Sequence, residues 1–197
     1  MEINAKMVKE LRDKTGAGMM DCKKALTQCE GNIDKAINWL REKGIAKAVS
    51  KSDRDTKEGR IYSYIHSNNK IGVLVEINCE TDFVARNEDF EILCKDICMH
   101  IAASNPLSIR PEELDQKAIE AEKEIYRNKA INEGKPEAVV EKIVEGQVKK
   151  YYKENCLLEQ EFVKDPAKTV QDIINETIAK IGENIQVARF TRFVLGE

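Results

Sequence analysis

A carboxylate next to a large aromatic, Asp82 beside Phe83, stands inside the run Glu80-Thr81-Asp82-Phe83-Val84-Ala85-Arg86-Asn87. An acid can disturb a bound cation, and a rigid hydrophobe beside it can push aside the loop that surrounds that cation. Just upstream, Ile71, Val73, Val75 and Ile77 alternate with other residues, so a half-buried strand is predicted there. A helical pattern opens near Val84. The pair therefore sits at a strand-to-helix junction, the kind of surface position that commonly carries function. A plainer reading fits the same residues. Thr81 or Asp82 can cap the following helix by accepting from its unpaired N–H groups, with Phe83 in the core.

Other reactive side chains form weaker patterns. Cys94 and Cys98 lie one helical turn apart with His100 close by, which could offer thiolates to zinc, but no fourth ligand follows. The alternative is two thiols in a core stripe. His66 stands alone beside a turn. Gly16-Ala17-Gly18 followed by Met19-Met20-Asp21 makes a second junction. Two successive methionines cannot both enter one small core, and an exposed methionine is an adaptable contact for a partner. There is no phosphate-binding G-x-x-x-x-G-K-[ST] loop, no dinucleotide G-x-G-x-x-G, no HExxH and no GxSxG. Neither nucleotide binding nor hydrolytic chemistry is expected of the chain itself.

Composition narrows the class. The 197 residues are enough for one or two compact domains, with 34% charged and 42% apolar residues. A net charge of −3 gives no global attraction to phosphate backbones, so direct nucleic-acid binding is not expected. Lys47, Lys51 and Arg54 form a candidate local basic patch. No apolar stretch approaches a membrane span, and Met1 to Lys6 lack a signal-peptide segment. A cytoplasmic protein with six reduced cysteines is the expectation.

The elements that position these residues follow from periodicity. Residues 4–44 read as three short helices, capped by Asn4 and Asn32 and stopped by Gly16, Gly31 and Gly44. The middle one carries Met19, Cys22, Ala25, Leu26 and Cys29 on its apolar face. A charged linker covers 46–58, where a hinge would fit. Two alternating runs around Ser67-Asn68-Asn69 predict an antiparallel hairpin. Helices are expected from Val84 to Ala103, from about Glu112 to Asn132, from Pro136 to about Tyr152, and from about Ala167 to Ile181. The second and third of these form a helical hairpin over about 112–152. Ile185 to Leu195 supplies a third strand. Strands, then helices, then one strand indicate an α+β fold.

Several strings together resemble one family. Thr15-Gly16-Ala17-Gly18-Met19-Met20-Asp21-Cys22-Lys23-Lys24-Ala25-Leu26 and Cys79-Glu80-Thr81-Asp82-Phe83-Val84-Ala85-Arg86-Asn87 resemble the two signatures of bacterial-type elongation factor Ts. Gly134-Lys135-Pro136, Val144-Glu145-Gly146 and Ile181-Gly182-Glu183-Asn184-Ile185 are similar to further family landmarks, in the right order from residue 5 to 196. Glu161 departs from the family, which often has proline there. The fold this resemblance implies is a ubiquitin-associated-like three-helix bundle over 1–45, the linker 46–58, and a core over 59–197. That core has a three-stranded antiparallel sheet packed by helices and a helical hairpin.

The activity implied is guanine-nucleotide exchange on elongation factor Tu, without covalent catalysis, cofactor or metal of its own. Thr81, Asp82, Phe83 and Val84 would form the segment that disturbs the partner's magnesium. Leu11, Arg12, Met19, Met20 and Lys23 would dock the bundle, with Lys51 as an added charged contact. The chain has one such segment and one hairpin, so it resembles the short, single-core branch of the family. That branch implies a homodimer, in which His66 of a second protomer could reach the partner.

Overall fold

The structure, a computed structural model, describes residues 3–197. In chain order the elements are α1 (Ala5–Thr15), α2 (Met19–Gln28), α3 (Ile33–Val49), β1 (Glu58–Ile65), β2 (Ile71–Cys79), α4 (Asp82–Ala85) and α5 (Glu88–Ser104). There follow α6 (Gln116–Asn132), α7 (Glu137–Asn155), β3 (Glu161–Phe162), β4 (Asp165–Thr169), α8 (Val170–Ile181) and β5 (Ile185–Val194). Short 3-10 turns occupy Pro111–Glu113 and Leu157–Glu159. The α+β class holds. β1, β2 and β5 form an antiparallel sheet in the order β1-β2-β5.

The chain divides into two compact units. One comprises Met1–Tyr62, Val75–Lys95 and Asp172–Ala188, and the other Ser63–Leu74, Asp96–Gln171 and Arg189–Glu197.

The first unit contains the helical bundle. The Asn4 side chain accepts from the Met7 N–H at 3.0 Å, and that of Asn32 from the Lys35 N–H at 2.9 Å. Each such cap stabilises its helix by about 1 kcal/mol. Gly16, at φ 66°, ends α1 and donates its N–H to the Arg12 carbonyl. Val8, Leu11, Cys22, Ala25, Leu26 and Ala36 form the buried core, with Ile33, Ile37, Trp39 and Leu40 packed against it.

Gly44, the expected stop of the third helix, lies inside α3 and is buried. A β-carbon built on it would stand 3.5 Å from the Ala179 Cβ. Gly44 is thus a site of close helix approach to α8, and the Arg41–Asp172 ion pair at 2.8 Å joins the same two helices. Propensity favours stopping at glycine, but packing against α8 carries the helix on to Val49.

Asp21 in α2 accepts from both Lys43 and Lys47 of α3 at 2.8 Å. Lys43, and then Lys47, hold its carboxyl down at about 2. The folded value lies below the ordinary 3.8, so this stabilisation is present above that pH and lost as pH falls towards 2. With solvent screening counted, Asp21→Asn should cost about 1 kcal/mol near neutral pH. In urea titrations the gap from the parent chain should close between roughly pH 4 and pH 2. A gap constant over that range would place the loss elsewhere.

β1 and β2 pair closely beside Gly59, whose φ is 149°. The hairpin closes with the His66 N–H donating to the Ile71 carbonyl at 2.9 Å, and Asn69 takes a positive φ of 55°. The helix expected from Val84 to Ala103 is interrupted. α4 is one turn, and α5 restarts after Asn87, whose side chain accepts from the Asp89 N–H at 2.8 Å. Glu88, Asp89 and Glu91 then place negative charge on the N-terminal turn of α5, where its dipole favours it.

In the second unit α6 and α7 form the expected helical hairpin around Gly134 (φ 72°). Ala130, Val140, Val144 and Val148 make its core, with Tyr126, Ile143 and Tyr152 against them. The helix expected from Ala167 begins only at Val170. Before it, β3 and β4 pair antiparallel, with Glu161 opposite Thr169 and Phe162 opposite Asp165. Asp165-Pro166 looks like a helix start, yet the pairing of so short a ribbon leaves room for a residue without an N–H.

His100 is wholly buried in this unit. The Val163 N–H donates to its Nδ1 at 3.2 Å, which puts the ring proton on Nε2, 2.9 Å from the Gln160 Oε1. Burial lowers its pKa, against the opposing effect of Gln160, and favours the neutral ring. Both nitrogens are engaged, and burial pushes the Cys98 thiol up to about 12. Among the described residues no group of three or more His, Cys, Asp or Glu side chains could hold a metal ion. None of the six cysteines is in a disulfide, and only Cys29 escapes full burial.

Candidate partner-binding turn

β2 ends at buried Cys79, and Glu80 and Thr81 lead into the single helical turn α4. The Thr81 hydroxyl caps α4, accepting from the Val84 N–H at 3.4 Å. Val84 and Ala85 are buried and anchor the turn. With about 100° between successive helical residues, burying these two turns Phe83 outward. Its side chain is 81% exposed. An aromatic so placed contributes little to the core and leaves a large apolar area in water. Asp82 pairs with Arg86 at 3.0 Å across the same turn, and both remain solvent-accessible.

Acid-to-backbone bonds brace the turn from behind. Glu183 accepts from the Thr81 N–H at 3.0 Å and from the Thr81 hydroxyl at 2.7 Å. Glu80 accepts from the Asn184 N–H at 2.7 Å and meets the Arg54 guanidinium at 3.4 Å. Asn184 is buried, and its Nδ2 donates to the carbonyls of Ser52 and Arg54 at 3.2 and 3.0 Å. The Cys79 thiol donates to the Thr81 carbonyl at 3.2 Å. Burial first, and then the Glu183 charge, push that thiol up to about 11, so it stays protonated. Segments 52–54, 80–81 and 183–184 are thereby tied together. Sequence reading flagged the string at 181–185 but gave Glu183 and Asn184 no role, since no local rule pairs residues a hundred positions apart.

The remaining candidates separate into surface and support. Met19 and Met20 are both exposed, at 58% and 66%, although Met19 was expected on the apolar face of α2. Gly18, at the N-cap, places both before the first inward position, Cys22. Arg12 and Lys23 are exposed on the same bundle. Leu11 is wholly buried, so it supports the surface from within and offers a partner no side-chain contact. Lys51 is half-buried, and its amine donates to the Gly182 carbonyl at the end of α8, where it caps that helix. The other two residues of the expected basic patch make ion pairs, Lys47 with Asp21 at 2.8 Å and Arg54 with Glu80 at 3.4 Å. His66 is exposed in the second unit, its Nδ1 3.0 Å from the Tyr64 hydroxyl.

No helix among the described residues is long and apolar enough to cross a membrane. The family model described as elongation factor TS matches residues 2–197. An elongation factor Ts of Oleidesulfovibrio alaskensis is 61% identical over 98% of this chain and 98% of its own length. Those of Desulforamulus reducens and Geobacter sulfurreducens are 62% and 59% identical over all of this chain and 90% and 91% of theirs. The matches to the last two span both junctions, Met19-Met20 and Asp82-Phe83. The chain belongs to the elongation factor Ts family.

Proposed function

We propose that this protein is a translation elongation factor that binds elongation factor Tu carrying GDP and promotes release of the nucleotide. The observation that carries this reading is Phe83, an aromatic exposed at the apex of a braced, one-turn helix. Inserted into the partner, its ring would wedge apart packed elements near the bound magnesium, with Asp82 beside it altering the charge around the cation. A displaced cation no longer neutralises the diphosphate, so GDP leaves faster. Thr81 and Val84 hold the wedge, one as cap and one as anchor. Met20 and Met19, flanked by Arg12 and Lys23, would dock the bundle on the GTPase domain through an adaptable apolar centre. No bond is made or broken by this chain, so it acts on an enzyme without being one. The reading places the protein in the cytoplasm, away from membranes and without direct nucleic-acid contact.

Linkage gives the cycle its direction. A factor that weakens GDP binding is weakened by GDP to the same extent, so incoming nucleotide ejects it. Stopped-flow release of fluorescent GDP from elongation factor Tu is the direct test. Release should accelerate with the concentration of this protein and saturate. A release rate independent of that concentration would leave only a passive adaptor.

The same reading includes a homodimer, which supplies the second contact that a single-core chain lacks. Ile65, Leu74, Phe193 and Leu195 in the second unit are large apolar residues left exposed, more than a monomer gains from displaying. An isologous interface built on such residues suits a two-fold pair, and His66 from the second copy could then reach the partner. Sedimentation should show a concentration-dependent dimer that Phe193→Asp shifts to monomer. A parent chain that is monomeric at micromolar concentration would overturn this part.

A further inference from the structure

We infer that Glu183 is the positioning residue for the Phe83 turn, a role that rests on the exchange reading above. Four observations carry it. Glu183 follows Gly182, which closes α8 with φ 94°, so its backbone is set by a helix end rather than by a free loop. Its two carboxylate oxygens meet the two donors of Thr81 that face it, the N–H at 3.0 Å and the hydroxyl at 2.7 Å. Thr81 in turn caps α4, and the cap sets the direction in which the next two residues leave the sheet. Behind it, Glu80 accepts from the Asn184 N–H, so neighbouring residues on two segments exchange carboxylate-to-backbone bonds in both directions.

A charge-assisted pair of this kind is roughly twice as strong as a neutral hydrogen bond and is directional in two dimensions. Its effect on exchange is indirect. Glu183 is not expected to touch the partner; it narrows the range of Phe83 orientations, so that less of the partner's binding energy is spent ordering the turn. The same tie extends to the linker. Lys51 caps Gly182, and the carbonyls of Ser52 and Arg54 receive the Asn184 amide. Residues that leave the bundle and residues that hold the wedge therefore share one anchor within the first unit.

Two independent readouts test this in the full-length protein. In amide hydrogen exchange, Glu183→Ala should speed exchange at Thr81 and Val84 by about 10- to 100-fold, with amides of the bundle core unchanged. In GDP release from elongation factor Tu, Glu183→Ala should lower the maximal stimulated rate about tenfold and move the half-saturating concentration by less than about threefold. Glu183→Gln should recover most of that rate, because its amide oxygen can accept from the Thr81 N–H while its NH2 donates to the hydroxyl oxygen. A variant that only weakens the fold would lose active protein, which raises the half-saturating concentration and leaves the maximal rate nearly unchanged. Should Glu183→Ala fail to fold, Thr81→Val against Thr81→Ser carries the same comparison, with serine expected to retain the rate and valine to lose it.

Unaltered Thr81 exchange together with an unaltered maximal rate in Glu183→Ala, or equal rates for Thr81→Val and Thr81→Ser, overturns the assignment. If the parent protein itself leaves GDP release unchanged, the exchange reading fails, and the Thr81 amide still decides whether the brace exists.

Discussion

Phe83→Ala should cut the maximal stimulation of GDP release by about 30-fold or more while leaving the fold intact. Central aromatic anchors at interfaces typically cost about 2–4 kcal/mol on truncation, which sets that scale. The side chain is exposed, so removing it takes nothing from the core, and thermal stability should shift by no more than about 0.5 kcal/mol equivalent. In the proposed mechanism, docking through Met19 and Met20 is separate from the turn. The half-saturating concentration should therefore rise far less than the maximal rate falls. That split distinguishes a wedge from an ordinary contact, because a residue that merely binds would weaken affinity and leave the rate at saturation alone. Unchanged stimulation in a folded Phe83→Ala protein would remove Phe83 from the mechanism.

The largest effect on stability is expected at Gly59. A β-carbon there would lie 2.2 Å from the Ile77 carbonyl oxygen and 2.7 Å from the Asn78 Cα, both backbone atoms that cannot swing aside. The φ of 149° is one that side-chain-bearing residues rarely adopt. Gly59→Ala must therefore strain the backbone and push β1 away from β2 at once, for an expected loss of about 3–5 kcal/mol. The displaced residues, Ile77 and Asn78, lead straight into Cys79 and Glu80. Stimulated GDP release should accordingly fall even in the fraction that stays folded. Chemical denaturation would check the first expectation, and a midpoint matching the parent chain would contradict it. Gly44 offers the opposite case. An added methyl would meet Ala179 at ordinary contact distance, so glycine there is a matter of close fit and not of necessity.

Periodicity made much of this fold legible before any coordinates. The alternation Ile71, Val73, Val75, Ile77 is β2, the stripe from Phe90 to Ile101 is the buried face of α5, and Asn4 and Asn32 cap where their side chains can accept. Boundaries that depend on tertiary contacts were not legible. α3 passes through Gly44 because α8 lies against it, and Asp165-Pro166 pairs as a strand because β3 is there to receive it. Of the candidate site, the exposed aromatic was visible as a motif, whereas its brace was not. Glu183 and Thr81 are joined only by the fold, and so are Lys51 and Gly182. Leu11 and Lys51 were docking candidates under the family resemblance; in the fold Leu11 lies in the bundle core and Lys51 donates to a helix end.

The distribution of sulfhydryls has a practical outcome for anyone following this molecule in solution. Five cysteines are shut away and only Cys29, just past the end of α2, is partly open to solvent. Electrophiles and mild oxidants act on accessible thiolates. The native chain should therefore accept a single maleimide dye at Cys29, giving a homogeneous fluorescent reporter without mutagenesis. Appearance of the five hidden sulfurs would then count how many molecules have opened.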